Sequence, residues 1–279
     1  MRRVALALVC LSFVQNLPAR SLNFYSIEHE VALGKQLSAE LERQVKLADD
    51  PILAEYVNRL AQKIARQSDA MLPVTVRIIE SGDLNAFTLP GGHIYLNSAF
   101  LRLTESESEL AFILAHEIGH VAARHATIEA TRSQLLQAGS IPLMVLGGWS
   151  GAALRELAPA AGRLGALKGA RDFETQADRL GLDFMDRSGY DLSAAIDMFE
   201  RIEGAERKVP GRVQRLWSDH PITASRIEAT QKHLNQIAGH REEYIINTSE
   251  YEEMRVRAVA LEERRAAQVD QAPHLGTEK

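Results

Sequence analysis

Cysteine is all but missing from this chain: among 279 residues there is one, Cys10. A lone thiol excludes an internal disulfide framework and any multi-cysteine zinc or iron–sulfur site. A transition metal would have to take its ligands from His, Asp and Glu. Excess charge of either sign is small, with 32 basic against 37 acidic residues and a net charge of −5. That balance carries no electrostatic footprint of a nucleic-acid binder. No internal repeat is evident. The hydrophobic share of 46% and the charged share of 25% are those of a globular chain, neither disordered nor collagen-like. The length sets one large domain or two small ones.

Clean membrane-spanning runs are lacking too. Arg2 and Arg3 precede an apolar run from Val4 to Val14, and Leu17-Pro18-Ala19 follows. Eleven residues are too few to cross a bilayer as a helix. A basic start, a short apolar core and a small residue near the exit predict a secretory signal over 1–20, hence a periplasmic or secreted mature chain. The alternative is a short buried or amphipathic N-terminal helix. A second stretch, Ser133 to Leu154, holds no charged residue but is interrupted by Pro142, Gly147, Gly148 and Gly151. It reads as an apolar loop or helical hairpin packed on the core, or as a flap that covers a cleft or makes peripheral membrane contact.

The remaining pattern is mainly helical. Ile27, Val31, Leu37, Leu41 and Val45 form one apolar stripe. Asp50-Pro51 predicts the start of a second helix, whose stripe is Ile52, Tyr56, Val57, Leu60 and Ile64. Val74, Val76 and Ile78 alternate with Thr75 and Arg77 as in a strand. Turns at Ser81-Gly82-Asp83 and Pro90-Gly91-Gly92 flank Leu84–Leu89, and His93–Asn97 reads as a further strand. A small, mostly antiparallel sheet is expected. Thr104 and Glu107 have the spacing of a capping box that opens a helix running to about Gln137. Further helices are expected over Asp172–Arg187, closed by Gly189, and over Asp191–Glu203 and Thr223–Ala238. The fold class is therefore α+β, with the sheet beside the helix that follows Thr104. A charged tail, partly disordered, is expected over 252–279.

The chemistry concentrates in His116-Glu117-Ile118-Gly119-His120. Four residues apart on a helix, the two imidazoles face one ion, and Glu117 projects beside them as a base for water. Gly119 is a poor helix former, which a close approach of another backbone would explain. A catalytic zinc usually takes three protein ligands, so a third must come from elsewhere. Glu174 and Asp178, again four apart, are the best candidates: Glu174 as ligand, and Asp178 as hydrogen-bond partner of a ligating imidazole.

These residues resemble the HtpX-, BepA- and Oma-like zinc metallopeptidases, a group that includes the prenyl-protein protease of the endoplasmic reticulum. The matching segments are HEIGHVAARHA at 116–126, ETQAD at 174–178, NAFTLPGGHIYLN at 85–97 and SDHP at 218–221 with Arg226 following. The resemblance implies a minigluzincin fold over 21–251, one Zn2+ per chain held by His116, His120 and Glu174, and Glu117 as catalytic base. It places Asp178 at a position often assigned as proton donor. A carboxylate bonded to a ligating His is better placed to orient it, since Glu117 can return the proton it takes. In BepA-like relatives the SDHP histidine can fill the fourth zinc position, so His220 is expected either to displace water in a resting state or to swing away and stabilise the oxyanion. Arg226 would stabilise the transition state or make an ordinary surface pair.

The resemblance also implies that the strand carrying His93, Ile94 and Tyr95 binds substrate by pairing with an extended peptide. Its alternative is an ordinary protected strand. His125, five residues past His120, points about 140° away on a continuous helix and reads as structural. The function implied is a secreted or periplasmic metalloendopeptidase acting on extended or misfolded proteins, or alternatively a non-catalytic, metal-stabilised chaperone on the same scaffold. No helical-repeat segment or clear transmembrane helix accompanies these motifs, so a role in outer-membrane assembly and a prenyl substrate are not expected to carry over.

Overall fold

A computed structural model describes residues 22–132, 134, 171–207, 220–239 and 242–271. The expected signal over 1–20 and all of the uncharged stretch except Gln134 lie outside the described residues. The chain opens with α1 (Ile27–Glu42) and α2 (Pro51–Ala65). Three strands follow, β1 (Thr75–Ile79), β2 (Ala86–Leu89) and β3 (His93–Asn97), with a short 3-10 turn at Pro90–Gly92. Next come α3 (Ser98–Leu103), α4 (Glu107–Ala122), α5 (125–132) and α6 (171–188). The described chain ends with α7 (Ala194–Arg207), α8 (Ala224–Ile237) and α9 (Ser249–Gln271).

The expected α+β, mainly helical architecture is present, with one refinement. The sheet is mixed, in the order β1-β3-β2: β1 runs parallel to β3, and β2 antiparallel to it. Val74, Val76 and Ile78 are buried while Thr75 and Arg77 face out, as their alternation requires. At the head of α2 the Asp50 side chain accepts from the Leu53 amide at 3.0 Å, with Pro51 at the first helical position.

Helix α4 is the centre of the fold. Leu110 to Leu114 and Ile118 are buried, and α2, α7 and β2 pack around it. A helix buried on nearly every side, polar residues included, belongs inside the core rather than on its surface. Its cap is Ser106, not Thr104: the Ser106 hydroxyl accepts from the Glu109 amide at 3.1 Å. The helix also stops at Ala122, well short of Gln137, because Arg124 adopts a left-handed φ of 55° before α5 begins.

Two other expectations are corrected. In α1, Val31 and Leu37 are exposed, and the buried face is Glu30, Gly34 and Ser38. A Cβ on Gly34 would meet the Pro90 carbonyl oxygen at 1.9 Å, so this face is small in order to seat the Pro90–Gly92 turn. The charged segment expected as a tail from 252 onward is helical through Gln271. Tyr251, Met254, Ala258 and Leu261 of α9 are buried, and Glu262 hydrogen-bonds Ser98 from the same face. Its apolar residues recur at three- and four-residue intervals between charges, which is enough to anchor a helix. Among the described residues no helix is long and apolar enough to cross a membrane.

Candidate metal centre

Helices α4 and α6 meet backbone to backbone, and two glycines allow it. A Cβ on Gly119 of α4 would lie 2.9 Å from the Ala177 carbonyl oxygen and 3.1 Å from its Cα. One on Gly181 of α6 would lie 3.1 Å from the His116 amide nitrogen. The close approach expected from Gly119 is therefore what its position provides. It sets Glu174 and Asp178 against His116 and His120, and the loop before α8 brings His220 to the same point.

The donor atoms converge. His116 Nε2 lies 3.1 Å from His120 Nε2, 3.5 Å from Glu174 Oε2 and 3.3 Å from His220 Nδ1. His120 Nε2 lies 3.5 Å from Glu174 Oε1, and His220 Nδ1 lies 2.9 and 3.0 Å from the two Glu174 oxygens. Ligand atoms about 2.0–2.2 Å from a tetrahedral ion are about 3.3–3.6 Å apart, so these separations approximate the edges of one coordination tetrahedron. All four residues offer ligand atoms within 4.8 Å of one another. The donor set of imidazole nitrogens and a carboxylate oxygen suits a zinc-like divalent ion.

The surrounding hydrogen bonds aim these donors. His116 Nδ1 donates to Asp178 Oδ1 at 2.9 Å, which leaves Nε2 facing the centre. Asp178 is in turn gripped by Arg226, Nε to Oδ2 at 2.8 Å and Nη2 to Oδ1 at 2.7 Å. Arg226 Nη1 also reaches Glu174 Oε2 at 2.9 Å and donates to the carbonyls of His220 and Pro221 at 2.9 and 3.1 Å. Only 2% of Arg226 is exposed. The surface-pair expectation is therefore corrected: Arg226 is an internal clamp, its donors turned toward α6 and the His220 loop.

The electrostatics follow from burial and partners. Burial opposes the charge on Asp178, but Arg226 and His116 hold its carboxyl below the usual range. Burial would lower His116, yet its bonds to Asp178 and Glu174 raise it to about 9. Burial and the neighbouring His116 keep His120 well below an ordinary histidine. Glu117 is fully buried beside the cluster; its Oε2 accepts from the Thr88 hydroxyl at 2.7 Å, and its Oε1 is 3.4 Å from His220 Nε2.

The substrate-strand expectation does not survive. His93, Ile94 and Tyr95 lie on β3, the central strand, whose backbone is paired with β1 on one side and β2 on the other. Ile94 and Tyr95 are fully buried; the Tyr95 hydroxyl bonds Ser38 and Glu42, and His93 Nδ1 faces Thr75 Oγ1 at 3.3 Å. The edge beside the cluster is β2. Phe87 and Thr88 line a cavity of about 270 Å³ with His120, Phe173, Glu174 and His220. One neighbour escaped the sequence reading, and another was expected to point away. Thr88 has no spacing relation to Glu117, and His125 comes within 3.0 Å of His120 only because the helix breaks at Arg124. Burial lowers His125 to about 4.

Residues 49–234 match the profile of peptidase family M48. The chain is 31% identical over 227 residues to the beta-barrel assembly-enhancing protease of Yersinia pestis, covering 77% of this chain and 46% of that protein. The protein of the same name from Escherichia coli (strain K12) is 30% identical over 224 residues, covering 76% and 45%. The mitochondrial metalloendopeptidase OMA1 of Schizosaccharomyces pombe is 32% identical over 194 residues, covering 67% and 55%. The chain thus spans about half the length of these curated relatives. With the His–Glu cluster at its centre and a family profile running from α2 to α8, the chain belongs to peptidase family M48, among the metallopeptidases of the HtpX/BepA/Oma kind.

Proposed function

We propose that this chain is a zinc metalloendopeptidase that cleaves extended or misfolded proteins in the bacterial envelope. The observation that carries this reading is the convergence of His116, His120 and Glu174 with the Glu117 carboxylate beside them. Zinc bound there would supply Lewis-acid polarisation of the scissile carbonyl and bring water into the titration range near pH 7.

The protein's own part is positioning and proton transfer. Glu117, held by Thr88 at one oxygen, takes the proton of the attacking water and returns it to the leaving amine. Asp178 and Arg226 orient His116 and Glu174 rather than exchange protons with substrate. His220, whose Nδ1 lies 3.3 Å from His116 Nε2 and 2.9 Å from Glu174 Oε1, would serve in a resting state as a fourth donor in place of water. Activation then requires His220 to withdraw, after which it is free to hydrogen-bond the oxyanion. An extended peptide would pair along the outer edge of β2, where no strand is hydrogen-bonded among the described residues. The envelope location rests on the basic-then-apolar N-terminus. The names of the bacterial relatives make unfolded β-barrel proteins suitable first substrates.

The test is casein cleavage by the zinc-loaded chain beside Glu117→Gln and His220→Ala. Glu117→Gln is expected to bind zinc normally and to lose about 10²–10⁴-fold in rate. His220→Ala is expected to raise the basal rate if the fourth corner is a latch. Wild-type turnover in Glu117→Gln would sink Glu117 as the base. Silence from all three with zinc bound would move the function to the chaperone alternative.

A further inference from the structure

The break after α4 places a second imidazole directly behind His120. On an uninterrupted helix His125 would point about 140° away. Instead Arg124 takes a left-handed φ of 55°, a conformation unusual for a residue with a Cβ. The turn is held in place: Arg124 Nε donates to Glu30 Oε2 at 2.6 Å, and its Nη2 to the Tyr25 carbonyl at 2.7 Å. Thr127, one helical turn on, donates to the same Glu30 oxygen at 3.1 Å. His125 is thereby returned to the cluster, 4% exposed and stacked on Phe173 at 4.2 Å between ring centroids. Its Nδ1 lies 3.0 Å from His120 Nδ1, and its Nε2 lies 3.4 Å from Gln176 Oε1.

A contact between two imidazole nitrogens needs one donor and one acceptor. His120 Nε2 faces His116 and Glu174, and it must be bare to act as a ligand. The proton of His120 therefore sits on Nδ1 and points at His125. The Gln176 carbonyl oxygen can only accept, so the proton of His125 sits on Nε2 and its Nδ1 is bare. We propose that His125 is a positioning residue for the metal centre, accepting the Nδ1–H of His120 and, through Gln176, fixing the tautomer that turns the His120 Nε2 lone pair inward. It does for His120 what Asp178 does for His116, with a neutral acceptor in place of a carboxylate. The inference rests on the proposed role of His120 as a ligand.

The experiment measures zinc affinity by chelator competition, and the cobalt(II) absorption spectrum, on the full chain and its His125→Asn, His125→Gln and His125→Leu variants. Asn places its Oδ1 where His125 has Nδ1, whereas the polar end of Gln falls at the Nε2 position. His125→Leu and His125→Gln are expected to lose about 10–100-fold in zinc affinity with an altered cobalt spectrum, and His125→Asn to retain most of the affinity. A purely packing role gives the opposite order, since Leu and Gln fill the space on Phe173 better than Asn. Asn faring no better than Leu overturns the proposal. Nitrogen-15 correlation spectra of the zinc-loaded wild type need no variant to fold: they should show His120 protonated at Nδ1 and His125 at Nε2. A His125 protonated at Nδ1 overturns it equally. Failure of the wild type to bind zinc at all would instead refute the ligand reading of His120, and the inference with it.

Discussion

Arg226 is one cation serving two buried carboxylates. Its fork holds both oxygens of Asp178, and its remaining amino group reaches Glu174, so removing it takes the guanidinium from two buried carboxylates and leaves them to their histidine partners. Breaking a buried pair of this kind costs about 3–5 kcal/mol. Lysine, a point charge without the planar fork, cannot replace it. Arg226→Met and Arg226→Lys are both expected to lower the urea midpoint and the zinc affinity; a Lys variant matching the wild type in both would count against the clamp. The two roles open to Asp178 also separate by measurement. As an orienting group, its replacement by Asn should weaken zinc binding about 10–100-fold and be largely rescued by excess zinc. As a proton donor, the Asn variant would instead keep its zinc and lose turnover at saturating metal.

At the scale of elements, Gly119 and Gly181 set how closely α6 lies on α4. Gly119→Ala would put a methyl against the Ala177 backbone, where neither helix can yield without moving Glu174 and Asp178. Overpacking of this sort costs about 1–3 kcal/mol. The expected outcome is a folded chain of reduced thermal stability with markedly weaker zinc binding; unchanged affinity would mean that α6 shifts without carrying its donors along. This scale also divides what was legible in the sequence from what was not. His116, Glu117 and His120, and then Glu174 and Asp178, could be read because four-residue spacing on a helix is a local rule. Gly119 announced its helix–helix contact by its poor propensity. His93, Ile94 and Tyr95 were misassigned because whether a strand is central or at an edge depends on β1, which pairs from across the turn region. His125 was expected to point away because Arg is not a residue that signals a left-handed turn, and the partners that impose it, Glu30 and Tyr25, lie far back in the chain. In α1 the apolar stripe misled because the seat for the Pro90–Gly92 turn is built from small and polar residues.

For the molecule as a whole, α9 closes the core from the far end of the chain. It packs on α2 and α3, burying Met254 and Leu261 to 5% and 4% exposure. Leu261→Ala or Met254→Ala is expected to cost about 2–5 kcal/mol, read as a shift in denaturation midpoint with an unchanged active-site spectrum in the cobalt form. A shift below half a kilocalorie would make α9 an ornament of the fold rather than part of it. The larger consequence concerns the donors. His116 and His220 are 104 positions apart, and Glu174 and His220 are 46 apart, yet all three meet at one point. An ion at that point would act as a cross-link between distant parts of a chain whose only cysteine lies in the expected signal segment, closing long loops as a disulfide would. Free zinc at a thousand times its dissociation constant would then stabilise the fold by about 4 kcal/mol, and the melting temperature should climb with the logarithm of zinc concentration. A chelator would then act on this chain as a destabilising agent, lowering its melting temperature without touching a peptide bond.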